Sequence, residues 1–148
     1  VFEVKPPPDQ LFEEERWQRA ESQLSAALSG ELDVSAILAE RMREARPRRP
    51  RIADHPHRVQ VDNESSSFFT IVEVITYDFL GLLFFITDTL YRCGLDIWVA
   101  KIATRIDQVV DVFYVRDFHG QKVVDPEKVA AIQKAILEVL PEAAAEEV

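Results

Sequence analysis

The sequence predicts an α+β fold, a four-stranded antiparallel sheet with two helices on one face, preceded by further helices. Three observations carry that expectation. Short β-prone runs at 57–61, 68–76, 96–105 and 109–116 are bounded by turn residues. Leu82–Arg92 and the stretch from Pro126 instead repeat apolar residues at three to four positions, the period of a helix. The resulting order, strand, strand, helix, strand, strand, helix, lets both helices cover one face of a single sheet.

Before these elements, Val1–Val4 is brief and β-prone, and Pro6, Pro7 and Pro8 end it because proline supplies no N–H. Asp9 is placed to cap a helix carrying Trp17, Ala20, Leu24 and Leu28, which Gly30 stops. Asp33 can cap a second helix with Val34, Ile37, Leu38 and Met42 inward. Both helices are amphipathic and need a surface to cover them. Residues 46–56, "RPRRPRIADHP", have a linker composition, and a solvated spacer is expected there.

His57–Val61 reads as a strand, "DNESSS" as a turn and Phe68–Thr76 as the antiparallel partner. In the helix Leu82–Arg92, Leu83, Ile86 and Leu90 share one face, and Gly94 is placed to end it in a left-handed conformation. Asp96–Arg105 and Val109–Arg116 follow, with Asp107 in the turn between them. Ile97 and Val99 share one parity while Ala100, Ile102 and Thr104 share the other, so a bulge is expected near Val99–Ala100. Asp125 caps the last helix, Pro126 starts it, and Val129, Ile132, Ile136 and Leu140 form its inner face. Trp98 and Phe113 read as packing residues, and Cys93 as a small core residue on its helix face.

Composition excludes several function classes. With 26 acidic against 17 basic residues, a net charge of -9 argues against nucleic acid as the main partner. Ile71–Trp98 is the most apolar stretch, but its longest apolar run is Phe79–Ile86, flanked by Asp78 and Asp88. A spanning helix needs about 20 apolar residues, so no membrane segment is expected. Cys93 is the only cysteine, which rules out an intrachain disulfide and suggests a reducing, cytoplasmic setting. No signal-peptide pattern is visible, and the opening on Val1 suggests a piece of something longer. Asp54, His55 and His57 are of metal-ligating type, but no regular element sets their spacing, so no metal or other cofactor is expected. No catalytic motif is present, so the chain is not expected to be an enzyme by itself.

The stretch Asp78–Leu83 carries the chemistry. An acid and a glycine stand where a strand gives way to a helix. The first helical N–H groups lack internal partners and can hold a ligand carboxylate. Gly81 has no Cβ and permits close backbone approach. Asp78 can accept from an α-amino group, so a zwitterionic amino acid could use both elements. The simpler alternative is that Asp78 only caps the helix and Gly81 only relieves the turn.

"YDFLGLL", "CGLDIWVAKIAT" and "VVDVFYVRD" together resemble an ACT domain, an amino-acid-sensing regulatory module, over about residues 57–140. "VKPPPDQLFEEERW" and "HRVQVDNESSSFFTIVEV" resemble the C-terminal, second-ACT region of bifunctional uridylyltransferase/uridylyl-removing enzymes of the PII signalling protein. The resemblance implies a ferredoxin-like sheet in which the leading strand fills the slot of a closing fourth strand. It implies residues 1–45 as the last strand and helices of a preceding, incomplete ACT domain, 46–56 as linker, 57–141 as an ACT domain and 142–148 as an acidic tail.

The implied ligand is an amino acid, glutamine first, held by Asp78, Phe79, Leu80, Gly81, Leu82 and Leu83. Ala100, Lys101 and Ile102 of the neighbouring strand would complete the pocket. Leu80 stands where the family's turn usually has proline, and Phe85, at a position often polar in the family, suggests an interface. Implied partners are the adjoining ACT and catalytic domains of a parent chain and a second copy. Rival expectations are a dimerisation module without ligand, from the apolar residues on both faces of Val109–Val115, and an RNA-binding ferredoxin-like domain.

Overall fold

The structure, a computed structural model, describes residues 13–45, 57–105 and 108–141. The chain divides into two compact units, Val1–Arg46 and Pro47–Val148.

In the first unit, α1 (Glu13–Leu28) and α2 (Val34–Glu44) lie at the expected positions. Gly30 ends the turn after α1 with φ 77°. Asp33 caps α2, its carboxylate accepting from the Ser35 N–H at 2.9 Å and the Ala36 N–H at 3.2 Å. Neither helix buries a residue, and Trp17, Leu24, Leu28, Val34 and Met42 remain exposed. The predicted strand Val1–Val4, the cap at Asp9 and the linker 46–56 fall outside the described residues, as do Asp107 and 142–148.

The second unit is the predicted sandwich. Its elements are β1 (Arg58–Asp62), β2 (Thr70–Thr76), α3 (Leu82–Arg92), β3 (Leu95–Arg105), β4 (Gln108–Asp117) and α4 (Pro126–Val139). The strands form one antiparallel sheet in the order β1-β2-β4-β3. β1 therefore lies on the edge beside β2, the slot assigned to it from sequence. The helices cover the face formed by Val72 and Val74 of β2 and Val109, Phe113 and Val115 of β4. Ile86 and Leu90 of α3 and Ile132 and Ile136 of α4 complete that core. Fully burying one such side chain contributes about 1.5–3 kcal/mol, and this shared core holds the layers together.

Five local expectations are corrected. The buried stripe of α3 begins at Leu82, not Leu83, which is 46% exposed. Helical periodicity allows either leucine, and the stripe through Leu82, Ile86 and Leu90 points more squarely at the sheet. β2 starts at Thr70 rather than Phe68, because the Ser66 hydroxyl accepts from the N–H groups of Phe68 and Phe69 and holds them in a turn. The bulge lies between Ile97 and Val99, making Trp98 the extra residue. Trp98 is consequently 58% exposed, with the Arg116 guanidinium 5.2 Å from its ring, while Phe113 is fully buried as expected. Cys93 is half-buried against the core, at the C-cap of α3 rather than on its inner face.

Two polar clusters finish the sheet's margins. At one end Thr70, fully buried, donates its hydroxyl to Asn63 Oδ1 at 2.7 Å and accepts from the Val123 N–H at 2.9 Å. Asn63 returns a bond to the Val123 carbonyl, and Lys122 Nζ donates to the carbonyls of Asn63 and Ser66. At the opposite end, His57 bridges the Pro141 carbonyl at 2.6 Å and the Thr76 hydroxyl at 2.8 Å. With Nε2–H donating to Pro141, Nδ1 accepts from Thr76. His57 is thus occupied in joining β1 to the chain after α4, while Asp54 and His55 lie outside the described residues.

Candidate functional site

The link from β2 to α3 sits above the end of the sheet where β4 begins. Gly81 occupies the N-cap of α3 with φ 90°, a conformation that L side chains rarely adopt. As the N-cap, Gly81 brings no side-chain hydrogen bond to the start of α3. The simpler alternative made Asp78 the cap of this helix; Gly81 holds that position instead, and Asp78 is exposed on the approach to the turn. The turn is closed by a bond from the Leu82 N–H to the Phe79 carbonyl at 3.2 Å, and the helix begins with Phe85 N–H to Gly81 carbonyl at 3.0 Å.

Around this turn is an open cleft of about 210 Å³. Asp78, Phe79, Gly81, Leu82, Leu83 and Phe84 form one side, and Ile102, Val109 and Asp111 the other. Aromatic contacts back its apolar wall. Phe79 stacks on Phe85 with ring centroids 6.2 Å apart, and Phe85 meets Phe84 edge-on at 5.8 Å.

Of the residues expected from sequence, Asp78, Phe79, Gly81, Leu82, Leu83 and Ile102 are brought together in this cleft. Leu80, Ala100 and Lys101 are not among its lining. Leu80 is half exposed within the turn. Lys101 is turned to the opposite face of the sheet, where its ammonium lies 3.3 Å from the Tyr114 hydroxyl and 5.1 Å from the ring centre. Phe85, assigned to an interface, is half-buried behind the cleft wall.

Sequence reasoning missed Asp111. It lies on the helix-covered face of β4 between Val109 and Phe113, opposite Val74 on β2 and Ile102 on β3. Only 1% of it is exposed, and neither carboxylate oxygen has a hydrogen-bond partner. Burial pushes its carboxyl up to about 6; the Ala103 backbone N–H opposes the shift, and the charge of Asp78 adds to it. The signal was available. In "VVDVFYV" the acid has the same parity as Val109, Phe113 and Val115, which is the core parity of the strand.

The cleft combines an exposed carboxylate, a buried one in its lining and a helix N-terminus, groups complementary to a ligand bearing both an ammonium and a carboxylate. Ammonium donors match the acids, and a ligand carboxylate matches the first N–H groups of α3. Among the described residues, no three His, Cys, Asp or Glu side chains are grouped to hold a metal ion, and no helix is long and apolar enough to cross a membrane.

Comparison with known proteins agrees with this architecture. A family model described as an ACR9-like, ACT-like domain matches residues 58–143. The chain is 38% identical over 117 residues to a bifunctional uridylyltransferase/uridylyl-removing enzyme of Gluconobacter oxydans, covering 79% of this chain and 12% of that protein. It is 36% identical over 122 residues to the enzyme of the same description from Azospirillum brasilense, covering 82% of this chain and 13% of that one. A match to the Cereibacter sphaeroides enzyme extends over 148 residues at 34% identity, covering 97% of this chain and 15% of the relative. The chain thus spans only about an eighth of the length of these curated relatives. No solved structure matches significantly. With the family model covering the whole sheet and both of its helices, the chain belongs to the ACT-like domain family.

Proposed function

We propose that the second unit is a regulatory amino-acid-sensing domain, with glutamine as the favoured ligand. In a parent uridylyltransferase/uridylyl-removing enzyme, occupancy would bias the balance between adding uridylyl groups to the PII protein and removing them. The observation that carries this reading is the cleft at the start of α3, where Asp78, the left-handed Gly81 and Ile102 converge. A ligand can shift such a balance only by binding one domain arrangement more tightly than another. The chain itself would then sense rather than catalyse, and the parent's catalytic domains would be its partners. On the same reading, residues 1–45 belong to a preceding ACT domain.

Calorimetric titration with glutamine, beside a thermal-shift screen of the twenty amino acids, tests this on the chain and on the full-length parent protein. Saturable heat with a rise in melting temperature is expected. The absence of both at millimolar glutamine in the full-length protein contradicts it.

A second reading, an assembly module, draws on the open face of the sheet. There Phe69 and Trp98 flank Arg116, with guanidinium-to-ring distances of 4.5 and 5.2 Å. Replacing Asp78 with Ala separates the two readings, because sensing should weaken while assembly should not change.

A further inference from the structure

The floor of the cleft contains a group that the Asp78–Gly81 turn alone does not explain. Asp111 is buried among largely apolar neighbours, and neither oxygen makes a hydrogen bond, the Ala103 N–H being the donor near it. A buried carboxylate in that state is costly unless it meets a cation or a set of donors. No described residue lining the cleft supplies either. Among the described residues its titratable members are Asp78 and Asp111, both acids, and the rest of the described wall is apolar apart from the Gly81 turn.

We propose that Asp111 is the ammonium-binding group of this cleft, receiving a primary ammonium ion with Asp78 as the second carboxylate at the rim. The proposal deepens the amino-acid reading and rests on it for the identity of the remainder of the ligand. An –NH₃⁺ group has three donors and one charge, which suits two orphan oxygens below and one acid above. A hard metal ion fits less well, since calcium and magnesium require six or more oxygen ligands and this wall is largely apolar. Asp111 lines the cleft while both of its oxygens are buried, so the ammonium reaches them only when the cleft lining moves aside. The remaining ligand then extends along Phe79, Leu83 and Ile102, and its carboxylate meets the first N–H groups of α3.

The arrangement also makes binding proton-dependent. Among the described residues, those facing Asp111 are Val74 and Thr76 on β2, Leu82 on α3, Ile102 on β3 and Val109 and Phe113 on its own strand, all uncharged, with the Ala103 N–H nearby. Asp78 is the charged neighbour. Once Asp111 is protonated it no longer pairs with an ammonium ion, so affinity falls as the pH is lowered from 7.5 to 5.

The test follows the carboxyl-carbon resonance of Asp111 by NMR, assigned with Asp111→Asn, during titration of the full chain at pH 7.5. Three probes are compared: glutamine, glutaminamide, which keeps the ammonium but lacks the carboxylate, and glutaramate, which keeps the carboxylate but lacks the ammonium. The proposal expects glutamine and glutaminamide to move the resonance saturably and glutaramate to leave it in place. It also expects Asp111→Asn to weaken glutamine binding about tenfold or more. If glutaminamide moves the resonance and glutamine does not, the ammonium site stands and the amino-acid reading fails. If glutamine binds but leaves the resonance unmoved, or glutaramate binds as tightly as glutamine, Asp111 is not the receptor and the amino-acid reading survives alone. If no probe moves the resonance, the proposal is overturned. Because the resonance is read in the unsubstituted protein, the result does not depend on the variant folding.

Discussion

Thr70 and Asp111 are both buried polar residues on the helix-covered face of one sheet, and their surroundings are opposite. Thr70 has a donor and an acceptor in place, and its partner Asn63 is itself held through Val123 and Lys122. Asp111 has neither, and it lines an open cleft. One end of the sheet is closed for stability. The other leaves a buried carboxylate without a hydrogen bond beside an open cleft, and the proposed function places its ligand there.

The largest expected effect tests what the two ends share. Phe113 lies in the core beside Asp111, and Phe113→Ala should cost about 3–5 kcal/mol in urea unfolding. A loss of that size would show one cooperative core under both ends, whereas a biphasic transition would separate them.

Next in size are the polar residues, where the comparison predicts opposite signs. Thr70→Val keeps the shape but leaves Asn63 Oδ1 and the Val123 N–H without their partner, and should cost about 2–4 kcal/mol. Asp111→Asn should instead stabilise the protein by about 1–3 kcal/mol at pH 7 in denaturant titrations. The sign follows from linkage. The folded carboxyl is raised to about 6 from an unfolded value of 3.8, so the folded state binds more protons between those values and loses stability as pH rises through them. The gain from Asp111→Asn should therefore shrink towards zero below pH 4. A destabilised variant at pH 7 would mean that Asp111 is satisfied after all.

Smaller effects sharpen each end. Lys122→Met removes two charged hydrogen bonds at the closed end and should cost about 1–3 kcal/mol. Gly81→Ala imposes a Cβ on a residue with φ 90° and should cost about 1–2 kcal/mol while disturbing the cleft. Measured by thermal shift, the first should leave glutamine binding unchanged and the second should weaken it.

Much of this contrast was legible in the sequence. Strand parity, helical period and the caps at Asp33 and Asp125 located every described element, since each is a local signal. The Asp78–Gly81 turn was identified because its chemistry is written in adjacent residues. What escaped depended on contacts distant in sequence. Asp111 becomes conspicuous only when α3 is folded over β4, and the bond from the Val123 N–H to the Thr70 hydroxyl spans 53 positions. The start of β2 was misjudged because the single Ser66 hydroxyl outweighs the β-propensity of Phe68 and Phe69. Leu83 was misassigned because period alone cannot choose between adjacent leucines on a helix edge.

The most direct test of the central claim is the pH titration of the Asp111 carboxyl carbon, without and with saturating glutamine. The account predicts a midpoint near 6 in the free protein, displaced downward when an ammonium ion pairs with the charged form. An ordinary carboxylate midpoint in the free protein, or a midpoint that glutamine leaves unmoved, would contradict it.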